Sequence, residues 1–179
     1  MLGSSFLNEI NQGMKLLSPA EILNRLRDKI THELGQFGGE GESKDGMDIS
    51  LIRIDLQTLK AEWAGANNPL WILKNGEQEI IEIKGDRQPI GYFEYAQPFQ
   101  NNQVQLGKGD LIYLFSDGFA DQFGGEIGKK FKYKPFKKLL ISLQEMPIGS
   151  HKKDLENHFI SWMGDYQQVD DVCIIGVRL

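Results

Sequence analysis

The sequence is poor in the features that mark extracellular, membrane-spanning and nucleic-acid-binding proteins. Its single cysteine, Cys173, excludes an intrachain disulfide and a cysteine-based zinc site. No apolar run approaches the roughly 18 residues that a membrane-spanning helix needs, and the N-terminus lacks the layout of a signal peptide. Lysine and arginine number 20 against 25 aspartates and glutamates, and the formal charge of -5 weighs against a nucleic-acid scaffold. These features predict a cytoplasmic protein with neither nucleic-acid nor membrane partners.

The composition is that of a globular protein, with 40% hydrophobic and 25% charged residues, and the length of 179 residues suits one domain. The first third of the chain predicts helix. Apolar residues recur at helical spacing in 1–17. Ser18 and Glu21 can form a capping box with Pro19 at the first helical position, and an apolar stripe at every fourth position follows. The glycine-rich stretch 38–43 predicts a surface loop.

The middle of the chain changes to the short runs and turn signals of β-strands. Runs rich in Ile, Leu and Trp predict an antiparallel meander with strands over 48–56, 60–66, 70–73 and 79–84. Asn75-Gly76 predicts a two-residue hairpin turn, and the apolar run 111–115 predicts a strand buried on both faces. Two helices follow, one after Pro135 and one capped by Ser150, before a last strand over 171–179. This order of elements predicts an α+β fold.

Two acidic segments are the strongest candidates for a functional site. In 113–121, the carboxylate of Asp117 lies at the end of a hydrophobic strand. Gly118, the next residue, permits a close approach of backbone or ligand. Asp170 and Asp171 stand directly before the last strand, where their mutual repulsion suggests a bound cation or a basic partner. In the plainer interpretation, Asp117 caps the following turn and the acidic pair forms an exposed turn. Oxygen ligands at two strand ends favour a hard cation such as Mg2+ or Mn2+ over zinc.

Taken in order, these segments resemble the PPM family of metal-dependent Ser/Thr phosphatases, in particular its bacterial SpoIIE-type branch, over essentially the whole chain. The family's aromatic strand ending in S/T-D-G is matched by 116–121, and its acidic pair before the C-terminal strand is matched by 170–176. An Ala-Gly-rich turn at 63–70 and a Pro-Ile-Gly step at 89–91 are also similar to family motifs.

The resemblance implies a β-sandwich flanked by helices, in α-β-β-α layers, with two Mn2+ or Mg2+ ions at one end. It implies Asp117 and Asp170 as metal ligands, with Asp171 and Gly118 as neighbours of those ligands. The implied reaction is hydrolysis of phosphoserine or phosphothreonine on a bacterial regulatory protein by a metal-activated water. That phosphorylated regulatory protein is the expected partner. Asp121 matches an acidic position of the family and is assigned no role.

The sequence departs from the family at its first metal motif, an aspartate with a Gly-His-Gly turn on an early strand. None of the three histidines lies in such a turn, and 1–10 align with the helix that follows the motif. We therefore expect 1–179 to be an N-terminally truncated phosphatase domain that lacks the first strands and the bridging aspartate. Asp45 and Asp48 are interpreted as the entrance of a strand rather than as a replacement. Unpaired sheet edges left by the missing strands predict a homo-oligomer.

Other interpretations follow from this departure. Without the bridging carboxylate, the chain could be a catalytically inactive module that binds or assembles proteins. The basic segment 129–138 could bind nucleic acid, meet an acidic or phosphorylated protein, or simply be solvated. Cys173, between apolar neighbours, is predicted to be an inert core thiol, and the three histidines are predicted to be packing or solvent residues.

Overall fold

The computed structural model describes residues 17–39 and 45–179. The predicted helical spacing of 1–17 lies almost wholly outside these residues, as does most of the predicted loop over 38–43. The described helices are α1 (Pro19–Glu33), α2 (Gly118–Asp121), α3 (Tyr133–Ser142) and α4 (Ile148–Met163). The strands are β1 (Ile49–Ile54), β2 (Lys60–Ala66), β3 (Leu70–Leu73), β4 (Ile80–Ile83), β5 (Asn102–Gln105), β6 (Leu111–Phe115), β7 (Phe123–Gly124), β8 (Lys129–Lys130) and β9 (Ile174–Arg178). The predicted α+β class is confirmed.

Within 17–39 and 45–179, every helix is too short or too polar to cross a bilayer. The chain divides into two compact units. Of the described residues, the first unit contains those within Met1–Leu70 and Ile83–Leu106, and the second contains Trp71–Glu82 and Gly107–Leu179.

The first unit packs α1 on an antiparallel sheet with the strand order β1-β2-β5. The predicted capping box is present, since the Glu21 N–H donates to Ser18 Oγ (3.3 Å) and the Ser18 N–H donates to Glu21 Oε2 (2.7 Å). The buried stripe of α1 is Leu23, Leu26 and Ile30, whereas Leu34 is exposed. A strict four-residue repeat drifts by about 40° per step around a helix of 3.6 residues per turn, so it leaves the core face. Spacings of three and four residues stay on that face.

The second unit is a sheet with the strand order β4-β3-β6-β9, and its core cluster unites residues of β3 and β6 with residues of α3 and α4. Its largest fully buried side chains are aromatic: Trp71, Tyr113, Phe119 and Phe136. Four of the five residues of β6 are buried, as the apolar run predicted. The small ribbon of β7 and β8 follows α2.

Several boundary predictions need correction. Helix α3 begins at Tyr133, two residues before Pro135 rather than after it. Asn75-Gly76 does form a turn, closed by a 3.0 Å bond from the Glu77 N–H to the Lys74 carbonyl, but β3 ends at Leu73 and β4 begins at Ile80. Only Gly76 has a positive φ (79°), whereas a type I′ hairpin turn needs one at both central residues. Helix α4 begins at Ile148, and Ser150 Oγ donates to the Pro147 carbonyl (2.9 Å) instead of capping the helix. The last strand begins at Ile174 rather than at 171.

The predicted meander is also wrong, although every pairing described between strands is antiparallel. Strand β5 pairs with β2, and β6 pairs with β3 and β9, so neighbours in sequence are not consistently neighbours in a sheet. The alternation of apolar residues reports which face of a strand is buried and does not identify the strand beside it.

Candidate metal centre

Asp117 stands at the end of a buried strand, as the sequence predicted. Strand β6 ends at Phe115, and Asp117 is the residue that precedes α2, with φ and ψ of -72° and -15°. Its side chain is exposed and makes no capping hydrogen bond to α2. The side chain of Asp117 therefore does not support the interpretation of this residue as a helix cap.

Ser116 joins the strand end to the second acidic segment. Its hydroxyl donates to the Asp171 carbonyl oxygen (2.7 Å) and accepts from the Cys173 N–H (2.9 Å). The Ser116 N–H also donates to the Cys173 carbonyl oxygen at 3.0 Å. These three bonds bring together two segments that are more than 50 residues apart in sequence, and with them the backbones that carry Asp117 and Asp170.

Gly118 lies against the same segment and has no room for a side chain. A β-carbon at this position would lie 2.5 Å from the Asp171 carbonyl oxygen and 3.0 Å from its carbonyl carbon. Both neighbours are backbone atoms, so they cannot yield as a flexible side chain would. The close approach of backbone that the sequence predicted at Gly118 is thus observed, and its partner is the acidic segment.

Gln122 holds the acidic segment from the other end of α2. This fully buried side chain donates from Nε2 to the Gln167 carbonyl (2.9 Å) and accepts from the Val169 N–H (3.3 Å). Ser116 and Gln122 therefore bracket α2 and bind the segment on both sides of Asp170. Sequence reasoning missed both residues. Ser116 lies within the S/T-D-G motif, but nothing local distinguishes Gln122 from a surface glutamine.

The acidic pair itself is exposed. The Asp171 N–H donates to Asp170 Oδ1 (2.7 Å), and Gln168 Nε2 donates to the Asp170 carbonyl (2.7 Å). Asp121 is bound elsewhere, because its carboxylate pairs with Lys130 Nζ at 2.7 Å. The backbone of this short acidic turn is thus fixed in part by hydrogen bonds among residues 168–171.

The carboxylates of Asp117 and Asp170 are the type of ligand that a hard divalent cation prefers, but two of them are too few for a complete site. Asp117 and Asp170 offer carboxylate oxygens, which Mg2+ and Mn2+ prefer. Within the described ranges, however, no group of three or more His, Cys, Asp or Glu side chains is placed to hold a metal ion. A centre for two ions needs more protein ligands than these residues bring together.

Asp48, in the first unit, has a structural role. Asp48 stands directly before β1, and its Oδ1 accepts from Asn67 Nδ2 (2.7 Å), which agrees with a strand entrance. The Ala-Gly-rich turn nearby is tight. The Asp86 N–H donates to the Gly65 carbonyl (2.9 Å), and a β-carbon on Gly65 would lie 2.4 Å from the Asn68 carbonyl oxygen.

Cys173 is exposed, so the prediction of a core thiol is wrong. It lies just before β9, which is the last strand of its sheet, and an edge strand is covered on fewer sides than a central one.

The prediction for His151 agrees with the structure. His151 is buried, with its Nδ1 3.5 Å from Tyr113 Oη and its Nε2 3.2 Å from the Met146 carbonyl oxygen.

Comparison with known proteins connects this arrangement to a family. The family model described as Stage II sporulation protein E (SpoIIE) matches residues 2–179. No curated protein sequence gives a significant match. Among solved structures, the SiaA-PP2C domain of Pseudomonas aeruginosa is 27% identical with a TM-score of 0.87, over 100% of this chain and 68% of that one.

Two further structures share the fold at lower identity. The PP2C phosphatase domain of SpoIIE from Bacillus subtilis, solved with a fragment of its regulatory domain, is 18% identical with a TM-score of 0.71, over 99% of this chain and 48% of that one. RsbX in complex with magnesium is 11% identical with a TM-score of 0.64, over 97% and 71% of the two chains. The family match spans nearly the whole sequence, and the chain belongs to the Stage II sporulation protein E (SpoIIE) family of PP2C-type phosphatase domains.

Proposed function

We propose that this chain is part of a SpoIIE-type phosphatase domain that hydrolyses phosphoserine or phosphothreonine on a bacterial regulatory protein. The observation that carries this proposal is the Ser116 bridge. It brings the S-D-G strand end and the acidic pair, the two motifs by which the chain resembles metal-dependent phosphatases, into hydrogen-bonding contact. The overall similarity to the SiaA-PP2C domain supports the same reaction class.

In this proposal Asp117 and Asp170 hold Mn2+ or Mg2+, and RsbX, a structure with the same fold, was solved with magnesium. When bound, such ions supply Lewis acidity and activate the water that attacks phosphorus. The protein's own contribution is position. Ser116 and Gln122 fix the backbone on either side of Asp170, while Gly118 allows α2, and with it Asp117, to lie against that backbone. Asp171 contributes its backbone to this contact, and its N–H orients the carboxylate of Asp170.

A second candidate function is a catalytically inactive module that binds or assembles regulatory proteins. The observation that favours it is the small number of candidate metal ligands. Within the described residues, no group of three or more His, Cys, Asp or Glu side chains could hold a metal ion. Two carboxylates shared between two dications would leave each ion with few protein ligands and a weak site.

The experiment that separates the two is turnover of a small aryl phosphate and of a phosphoserine peptide in the presence of millimolar Mn2+. Asp117→Asn should abolish turnover and weaken Mn2+ binding measured by calorimetry. Asp165→Asn removes the same charge from an exposed loop after α4 and should change neither. Folded wild-type protein without turnover would contradict the enzyme and favour the binding module.

We also propose that homo-oligomers form by pairing of β9 with β9 of a second copy. Within the described strands β9 is the edge of its sheet, and Ile175 and Val177 on it are 52% and 39% exposed. An open edge with exposed apolar side chains is a template for another strand. Light scattering should report a dimer that Ile175→Lys converts to monomer, and a wild-type monomer at high concentration would overturn this proposal.

A further inference from the structure

Lys132 has a backbone conformation that is almost restricted to glycine. It lies between β8 and α3 with φ of 73° and ψ of 157°. A β-carbon is strained in this region of φ and ψ, and a residue other than glycine stays there only when its surroundings impose the conformation. Such strain tends to occur at functional sites, so the reason for a lysine here has to be sought in its side chain.

The surroundings of Lys132 do impose the conformation. Its N–H donates to the Ala120 carbonyl (2.7 Å), and the N–H of the preceding Phe131 donates to the Gln122 carbonyl (3.0 Å). The Phe131 ring packs edge-on against the ring of Phe119, with 5.2 Å between ring centroids. None of these contacts uses the lysine side chain, and a glycine would satisfy them without strain.

The Lys132 side chain is exposed and, within the part of the chain that the structure describes, makes no hydrogen bond or ion pair. Its backbone is bound to Ala120, which lies three residues after Asp117. Three residues correspond to a rise of about 4.5 Å along a helix. The backbone of Lys132 is therefore held within about one helical turn of Asp117.

Lys132 is also the centre of the basic segment. Residues 128–138 contain six lysines and no acidic residue, in a chain with a net charge of -5. Two of the six are engaged, Lys130 with Asp121 (2.7 Å) and Lys137 with Glu82 (2.6 Å). The other four are exposed and unpaired within the described residues: Lys129, Lys132, Lys134 and Lys138. We call these four the lysine surface.

We propose that the lysine surface, centred on Lys132, docks an acidic segment of the phosphoprotein substrate beside the metal centre. This inference rests on the proposed phosphatase function and deepens it. Charge complementarity identifies the partner, because clustered lysines attract carboxylates and phosphate groups and raise the rate of encounter. A protein segment fits better than nucleic acid, since four unpaired lysines can neutralise few phosphates and the chain as a whole carries a net charge of -5.

The test compares Lys132→Gly with Lys108→Gly. Lys108 is an exposed lysine in the turn before β6, at the opposite end of the strand that leads to Asp117, so the change in net charge is the same. The probes are a fluorescent phosphoserine peptide flanked by glutamates and the same peptide flanked by glutamines. Binding is measured by anisotropy without metal, and turnover is measured separately with Mn2+.

We expect Lys132→Gly to weaken binding of the glutamate-flanked peptide about fivefold or more, the scale of one charge-assisted contact. Binding of the glutamine-flanked peptide should change much less. The unfolding temperature of Lys132→Gly should equal or exceed that of the wild type, because glycine relieves the strain. Lys108→Gly should bind both peptides as the wild type does and unfold at a slightly lower temperature.

Equal binding of the glutamate-flanked peptide by Lys132→Gly and the wild type would overturn the docking surface, even if turnover is observed. Binding that depends on Lys132 in a protein without turnover would support the docking surface and contradict the enzyme. Tighter binding of a single-stranded oligonucleotide than of the peptide, lost in Lys132→Gly, would overturn the assignment to an acidic protein segment.

Discussion

Gly118→Ala tests whether the close contact between α2 and the acidic segment holds Asp117 and Asp170 in position. The added β-carbon would lie 2.5 Å from the Asp171 carbonyl oxygen, whereas ordinary van der Waals contacts begin near 3.4 Å. The atom in the way belongs to the backbone, and Val172 Cγ2 at 3.3 Å closes the space behind it. The segment that contains Asp170 must therefore move away from Asp117.

The size of the effect follows from three contributions. Overpacking at a closed site costs about 1–3 kcal/mol. Displacement of Asp171 weakens its hydrogen bond from Ser116 Oγ, which is worth about 1 kcal/mol. Alanine is a better helix former than glycine by up to about 1 kcal/mol, which offsets part of the loss. The net loss of unfolding free energy should be about 1–3 kcal/mol. Each kcal/mol should lower the unfolding temperature by about 2–4 °C.

Thermal unfolding followed by circular dichroism measures this loss, and Mn2+ titration measures the effect on the site. The matched control is Gly149→Ala in the first turn of α4, where an added β-carbon meets nothing within 4 Å. That variant should be as stable as the wild type or more stable. If Gly118→Ala proves as stable as Gly149→Ala and binds Mn2+ equally well, the contact between α2 and the acidic segment does not hold Asp117 and Asp170 in position.

Three further predictions concern buried or bridging polar groups. Ser116→Ala should lower the free energy of unfolding by about 1–2 kcal/mol and weaken Mn2+ binding, because two hydrogen bonds to the acidic segment are lost; Ser116→Thr should retain both, and equal loss in the two variants would contradict the bridge. Burial raises the pKa of Asp110, but hydrogen bonds from Lys74 and from two backbone N–H groups more than offset it and lower the pKa below its ordinary value. The stability from this carboxylate is present above about pH 4 and disappears as pH falls through the lower folded pKa. The free energy of unfolding, measured with urea at several pH values, should therefore fall less steeply towards acid pH in Asp110→Asn than in the wild type. Burial raises the pKa of Tyr113 from 10.0 to about 12. The stability associated with its neutral hydroxyl is present below pH 10 and lost as pH rises towards 12, so Tyr113→Phe should reduce the alkaline loss of stability, and an unchanged profile would contradict the assignment.

The parts of the fold that could be predicted from the sequence are those that depend on local signals. The start of α1 follows from hydrogen bonds between Ser18 and Glu21, three residues apart. Strands β2 and β3 have the predicted limits because turn residues bound both of them. Asp117 lies at the end of β6 because a fully apolar run has to end where a carboxylate reaches solvent.

The parts that could not be predicted depend on partners that are distant in sequence. Ser116 and Asp171 are 55 residues apart. No local pattern shows that the Ser116 hydroxyl would donate to the Asp171 carbonyl and also accept from the Cys173 N–H. Gln122 is buried only because it satisfies backbone groups of 167–169. Cys173 has the apolar neighbours of a core residue, but its exposure depends on the position of β9 at the edge of the sheet, which is a property of strand order.

The motif Ser116-Asp117-Gly118 therefore acts as one unit, because the two residues that flank Asp117 share one contact. Ser116 holds Asp171 by a hydrogen bond, and Gly118 leaves room for the same carbonyl group. Because both substitutions disturb one contact, their effects should not add. Once Gly118→Ala has displaced Asp171, little of the hydrogen bond remains for Ser116→Ala to remove, so the double variant should lose about 1 kcal/mol less stability than the sum of the single losses. Ser116→Ala combined with Gly149→Ala, whose sites share no partner, should be additive within about 0.5 kcal/mol. If the first pair is as additive as the second, the serine and the glycine act independently, and the acidic segment is held in place by other contacts.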